Sequence, residues 1–301
     1  MPQRLGQHFL KNKLAINKII AALDIKNEDA VIEIGPGKGA LTIPLSEDCS
    51  GKNCKLIAIE RDAELAKFLD ENLKPANPNL QMVEGDALKV LPELISKLKL
   101  EKFKIVGNIP YYITGKLLRI ISELEHKPEL TVLMIQKEVA ERIVAHPPKM
   151  NLLAAATQFW ADPEIILKLK PADFEPAPEV DSAVIKLTTK SVIASPACRQ
   201  AGKAKPCLPA GRNLLRRMAA NSEVPAMTEK KYYQLIHTIF KQPRKTLLNN
   251  LRDGLDTPRE ALEKALGSIN LPINARPQDL SIENIKSLLP LLEGDPLAQK
   301  K

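Results

Sequence analysis

From Ala30 to about Leu187 the chain alternates short apolar runs with amphipathic stretches of about three helical turns. This alternation restricts the fold more than any other feature. Strands are predicted at Val31–Ile34, Lys55–Glu60, Leu80–Val83, Phe103–Gly107 and Leu130–Gln136. Helices are predicted from Ala40–Ser46, Ala63–Leu73, Leu91–Leu98 and Lys116–Leu124, with a further one near Val139–Val144. Near-continuous apolar strands joined by helical crossovers are buried on both faces, as in a mostly parallel sheet covered by helices. Ile165–Lys170 and Val180–Leu187 are separated only by a Pro-rich loop, which predicts an antiparallel hairpin closing one edge. The expected fold class is α/β, with a mostly parallel seven-stranded sheet.

Past Lys190 the pattern changes. Ser195–Arg212 has no periodicity and is rich in Pro, Ala, Gly and basic residues, so it reads as an inserted flexible linker. Helices are then expected at Glu229–Phe240, Arg244–Leu251, Pro258–Leu266 and Ile282–Leu292, with Thr228-Glu229 and Thr257-Pro258 as starts and Gly267 as a stop. The expected organisation is an α/β domain over 1–190, a basic linker over 191–228 containing the 195–212 insertion, and a small all-helical domain over 229–301. Charge follows the same division. Residues 1–190 hold 26 basic and 26 acidic residues, 191–252 hold 12 and 2, and 253–301 hold 6 and 8, so the net +8 arises in the middle stretch. A polyanion-binding face and a solvated basic linker both fit that asymmetry.

No apolar run approaches the roughly 18 residues of a membrane span, and Met1–Leu10 lacks a signal-peptide core. A soluble, cytoplasmic, monomeric protein is expected. Cys49, Cys54, Cys198 and Cys207 form no C-x2-C pair and the four His are scattered, so no metal site is expected and the cysteines are expected to be unpaired thiols.

Three consecutive strand ends carry chemistry. Glu33-Ile-Gly35-Pro-Gly37-Lys-Gly39 lies between the first strand and its helix, where glycines let backbone N–H groups approach a ligand. A tight structural turn would use the same glycines, and the G-x-G-x-G spacing departs from the dinucleotide G-x-G-x-x-G. Glu60 ends the second strand, where a carboxylate can accept from both ribose hydroxyls, and Asp86 in Gly85-Asp86-Ala87 can accept from an exocyclic amine. The fourth strand ends in Asn108-Ile-Pro110-Tyr111. Asn108 Oδ1 and a neighbouring carbonyl can accept both hydrogens of a planar amine and draw its lone pair out of conjugation, while Tyr111 can stack on the base. Taken alone, Asn-Pro is also an ordinary turn.

With these residues in place, the chain resembles the ribosomal RNA adenine N6,N6-dimethyltransferases, bacterial small-subunit type. Gln7-His8-Phe9-Leu10, Glu33–Gly39, Glu60, Gly85-Asp86-Ala87, Asn108–Tyr111, the loop Phe174–Ala183 and the segment Phe240–Asn249 match the family's motifs in order over roughly residues 3–290. The resemblance implies a Rossmann-like class I methyltransferase domain, a helical rRNA-binding domain and S-adenosylmethionine as cofactor. It implies that His8 and Leu10 close over the cofactor and that Gly35, with Gly37 beside it, contacts its methionine end. Glu60 would hold the ribose, and Asp86, next to Ala87, the adenine. Asn108, Pro110 and Tyr111 would be catalytic, Phe174 a second wall for the target base, and Lys241, Arg244 and Lys245 RNA contacts.

Two departures stand out: Pro243 replaces the first Arg of the family's R-R-K, and Ser195–Arg212 is extra, a passive insertion rather than an RNA contact. The implied activity is dimethylation of two adjacent adenosines near the 3′ end of small-subunit rRNA, with the assembling small subunit as partner. Two alternatives are a large-subunit rRNA methyltransferase of the macrolide-resistance type and a non-catalytic assembly factor on the same fold. A dehydrogenase is disfavoured by the glycine spacing.

Overall fold

The structure is a computed structural model that describes residues 8–75, 77–190, 226–255 and 257–293. It divides into two compact units: one comprises the N-terminal residues to His146 together with Leu153–Thr189, and the other Pro147–Leu152 with the chain from Lys190 onward.

The first unit is an α/β sandwich. Its strands are β1 (Phe9–Leu10), β2 (Ala30–Ile34), β3 (Lys55–Glu60), β4 (Leu80–Glu84), β5 (Lys104–Asn108), β6 (Leu130–Gln136), β7 (Ala161–Leu169), β8 (Phe174–Glu175) and β9 (Ser182–Thr189). Its helices are α1 (Lys13–Leu23), α2 (Thr42–Lys52), α3 (Ala63–Leu73), α4 (Ala87–Leu98), α5 (Thr114–Glu123), α6 (Lys137–Ile143) and α7 (Leu152–Gln158). Seven strands form one sheet in the order β4-β3-β2-β5-β6-β9-β7, parallel except for β9, which is antiparallel to both β6 and β7. The predicted hairpin is therefore present, inverted into the edge so that β9 lies inside.

Every residue of β2 is buried, as are five of the six in β3. A strand covered by helices on both faces needs apolar groups on both, which is why these runs do not alternate. Truncating a fully buried residue such as Ile32 to Ala would cost about 2–5 kcal/mol. Helix starts follow short polar side chains: Asp62 accepts from the N–H groups of Glu64 and Leu65, and Asp86 from that of Leu88. At the opposite end of the sheet the buried Lys104 ammonium donates to Asp29 Oδ2 and to the Asp24 carbonyl, both at 2.6 Å. Removing either charge of such a pair would cost about 3–5 kcal/mol.

Several elements depart from the sequence reading. Helices α1 and α7 and the two-stranded ribbon β1–β8 were not anticipated, and α2 begins at Thr42 and continues to Lys52. The expectation of unpaired thiols fails for one pair. Asn53 turns the chain through a left-handed conformation (φ 51°), Cys54 N–H bonds back to Cys49 O, and the two cysteines form a disulfide with Cα atoms 4.8 Å apart. Cys198, Cys207, Gln7, the 195–212 insertion and almost all of the expected linker lie outside the described residues.

The second unit is helical over its described residues: Ala226–Ile239, Leu247–Gly254, Arg259–Ser268 and Ile282–Ser287. The first of these begins before Thr228, Pro258 rather than Thr257 is the cap of the third, and that helix passes Gly267 by one residue. Arg244 and Lys245 were expected at the start of a helix. They lie instead in the turn before it, because Thr246 takes the capping position and accepts from Asn249 N–H. Asn250, 2% exposed, fastens this turn: its amide accepts from Gln242 N–H and donates to the Gln242 and Thr246 carbonyls at 3.0–3.2 Å.

Candidate active site

The C-terminal ends of β2, β3 and β5 and the ribbon strand β1 enclose an open cleft of ≈ 680 Å³, open solvent included. It is lined by His8, Phe9, Leu10, Glu33, Gly35, Pro36, Gly37, Ala40, Leu41, Glu60, Asn108, Ile109, Pro110 and Tyr111. A cleft outside the carboxyl ends of parallel strands is where open α/β sheets bind ligands.

The glycine loop shapes its floor. Gly37 has φ +57°, and a Cβ there would come within 2.8 Å of the Phe9 ring, so both the backbone angle and the close approach exclude a side chain. Glu60, 4% exposed, holds the loop against β3. One carboxylate oxygen accepts from Gly37 N–H at 2.9 Å, and the other from Arg61 and Asp62 N–H at 2.8 and 3.0 Å. A carboxylate has about four acceptor positions, so three are committed to the backbone and capacity for a ligand hydroxyl remains.

Asn108 is half-buried at the end of β5, and its Nδ2 donates to the His8 carbonyl at 2.7 Å. That bond orients the amide of this cleft-lining residue, and its Oδ1 remains an acceptor. Tyr111 Oη and Ser182 Oγ share a hydrogen bond of 2.7 Å, and burial pushes the phenol's pKa up, with Ser182 opposing. His8 Nδ1 pairs with the Pro176 carbonyl, and its ring runs nearly parallel to Tyr111 (21°, centroids 6.1 Å apart). His8, Leu10, Gly35, Gly37, Glu60, Asn108, Pro110 and Tyr111 thus meet in one place.

Three assigned residues do not. Phe174 pairs with Leu10 in the β1–β8 ribbon, is 2% exposed in the core and is not among the residues that line this cleft. Backbone pairing fixes which way its side chain turns, and the loop's motif carries no trace of that register. Asp86 stands at the neighbouring strand end with one oxygen engaged as the cap of α4, and Ala87 is buried in the first turn behind it. Neither lines the cleft.

One lining residue was missed. Glu33 is 1% exposed, and its Oε2 has no hydrogen-bond partner among the described residues. Burial raises its pKa to about 8, Thr42 opposing and the nearby Glu60 adding to the shift. The signal was present in the sequence as a carboxylate set inside an otherwise apolar buried strand, Ala-Val-Ile-Glu-Ile. Altogether the lining carries two carboxyl groups and, among the described residues, no Lys or Arg. Such a cleft suits a ligand with cationic groups.

In the second unit, Lys241 and Arg244 are exposed, whereas Lys245 pairs with Asp253 at 3.2 Å. That bond, followed by the one from Arg252, holds the Asp253 carboxyl below its ordinary range.

Comparison with known proteins agrees with this geometry. The chain is 34% identical over 97% of its length to a ribosomal RNA small subunit methyltransferase A of Dehalococcoides mccartyi, covering 88% of that protein. It is 34% identical to one from Clostridium botulinum, covering 95% of this chain and 92% of the relative. Two solved structures share the fold at 24% identity and 95% coverage of this chain: a dimethyladenosine transferase from Plasmodium falciparum (TM-score 0.69, 98% of that chain) and the 23S rRNA methyltransferase ErmE (0.67, 99%). The family profile for ribosomal RNA adenine dimethylase matches residues 2–197. The chain therefore belongs to the ribosomal RNA adenine dimethylase family.

Proposed function

We propose that this enzyme transfers methyl groups from S-adenosylmethionine to N6 of two adjacent adenosines near the 3′ end of small-subunit rRNA. It would act as a cytoplasmic monomer on the assembling small subunit. No helix among the described residues is long and apolar enough to cross a membrane. The observation that carries the chemistry is Asn108, which lines the cleft and whose Nδ2 donates to the His8 carbonyl, orienting the amide while its Oδ1 stays able to accept from an exocyclic amine.

The cofactor fits the cleft by charge: its ammonium and sulfonium suit the Glu33 and Glu60 carboxyl groups that line it. When bound it supplies an electrophilic methyl group. Glu60 would accept from the ribose, Gly35 and Gly37 would contact the methionine end, and His8 and Leu10 would cover it; Asp86 remains a candidate for the adenine amine from its adjacent strand end. Asn108 Oδ1 accepts from the target amine as its nitrogen becomes tetrahedral, and Pro110 and Tyr111 position the base. Asn108 would hold the target nitrogen toward the methyl group that the bound cofactor supplies, and the amine proton would leave to solvent. Holding both reactants in line can supply about 7–11 kcal/mol. Lys241 and Arg244, and Lys245 after leaving Asp253, would contact RNA phosphates from the helical domain.

The test is incubation with labelled S-adenosylmethionine and either unmethylated small subunits or large-subunit rRNA, followed by mapping. Dimethylated adenosines near the small-subunit 3′ end support the reading. Label only in large-subunit rRNA would transfer the chain to the resistance-type activity, and cofactor binding without transfer would make it an assembly factor.

A further inference from the structure

Immediately beside Tyr111 the surface changes character. Tyr112 is 63% exposed, the most open aromatic ring among the described residues' exposed apolar side chains, with no hydrogen bond or ring contact among them. It belongs to the 3-10 turn Tyr111–Ile113 that runs directly into α5, so Gly115 and Lys116 follow at three and four residues and share its face. A Cβ on Gly115 would meet nothing within 4 Å, and its φ is not in the left-handed range, so neither packing nor backbone requires a glycine there. Lys116 is exposed and has no ion-pair partner among the described residues. Val180, 41% exposed, lies two residues before Ser182, which holds Tyr111.

An open aromatic face, a strip of uncovered backbone and an unpaired cation, one residue from the target pocket, match the three parts of a nucleotide. We propose that Tyr112, Gly115 and Lys116 form a subsite for the nucleotide adjoining the target adenosine, its base stacked on Tyr112 and its phosphate facing Lys116. Continuity with the Tyr111 pocket argues for RNA as the occupant, because a strand whose one base enters the cleft must carry its neighbour across this face. The lysine's charge complements a phosphate. Stacking on an exposed ring is tolerant of base identity, so the subsite would grip the flanking nucleotide without reading it. This inference rests on the reading that the chain methylates RNA adenosines, and deepens it.

The test uses the full chain, unmethylated small subunits, and a short single-stranded RNA bearing 2-aminopurine next to an adenosine. Tyr112→Ala should raise KM for small subunits on the order of 10- to 100-fold, with calorimetric affinity for S-adenosylmethionine within twofold. Tyr112→Phe should stay close to wild type, since the ring and not the hydroxyl makes the contact. Lys116→Ala should flatten the salt dependence of KM. Wild type should quench the 2-aminopurine and Tyr112→Ala should not. An unchanged KM for Tyr112→Ala, or a Tyr112→Phe as impaired as Tyr112→Ala, would overturn the subsite. So would a KM defect with undiminished 2-aminopurine quenching, which would place a protein of the particle on this face. If the wild-type protein itself transferred no methyl group to small subunits, the failure would lie with the proposed function and not with Tyr112.

Discussion

Glu33 should make this protein less stable as pH rises across the neutral range, and the effect is large enough to isolate. Its ordinary pKa of 4.5 is raised to about 8 in the folded chain, first by burial and then by the neighbouring Glu60. The folded state therefore binds more protons than the unfolded state between these values, and stability falls as pH increases. The contribution is complete below pH 4.5, declines by about 1.4 kcal/mol per unit above it, and levels off above pH 8 after a loss of about 5 kcal/mol. Glu33→Gln preserves the shape of the protonated acid without its titration. Urea unfolding of wild type and Glu33→Gln at pH 5, 6, 7, 8 and 9 isolates the effect, since the two proteins differ by that one titrating side chain. The stability difference should move in favour of the variant by about 1.4 kcal/mol per pH unit up to pH 8 and then stay constant. Two parallel stability curves would refute the argument. A cationic ligand in the cleft should draw the proton off Glu33, so wild type but not Glu33→Gln should release a proton on cofactor binding near pH 7, seen as a buffer-dependent calorimetric enthalpy.

Other consequences can be measured at the same site and on the helical unit. Glu60→Gln should weaken S-adenosylmethionine binding by roughly 10- to 150-fold, the worth of a charge-assisted hydrogen bond; calorimetry showing an unchanged affinity would remove Glu60 from ribose recognition. Asn108→Ala should lower the single-turnover methylation rate by about 100-fold or more while cofactor affinity stays within a few-fold, because its acceptor matters most in the transition state. Neutralising Lys241 and Arg244 should reduce the log–log salt slope of rRNA binding by about 0.7–0.9 per lost phosphate contact. Neutralising Lys245 should change it less, because its ammonium already pairs with Asp253. Deleting Ser195–Arg212 should alter methylation by less than about threefold, since the family's motifs are complete outside it; loss of RNA binding on deletion would invert the assignment.

The sequence alone determined the layered α/β domain and the ends of its strands. Apolar runs such as Val-Ile-Glu-Ile and Leu-Ile-Ala-Ile must be buried on both faces, and helical periodicity between them leaves few topologies. It also placed Gly35, Glu60 and Asn108 on one edge, because all three stand where a parallel strand stops. Tertiary structure decided what local pattern does not encode. The β1–β8 ribbon is two residues long on each side and is fixed by pairing across 164 positions (Leu10 to Phe174), and it buries Phe174 in the core. The Thr246 cap and buried Asn250 together set Arg244 and Lys245 in a turn where a helix was expected, since a single capping bond outweighs the weak propensities of a short segment. Above all, the proton on Glu33 is a property of its surroundings. The letter in the sequence is an acid, and only burial among the strands of the finished sheet makes its neutral form the stable one near neutral pH.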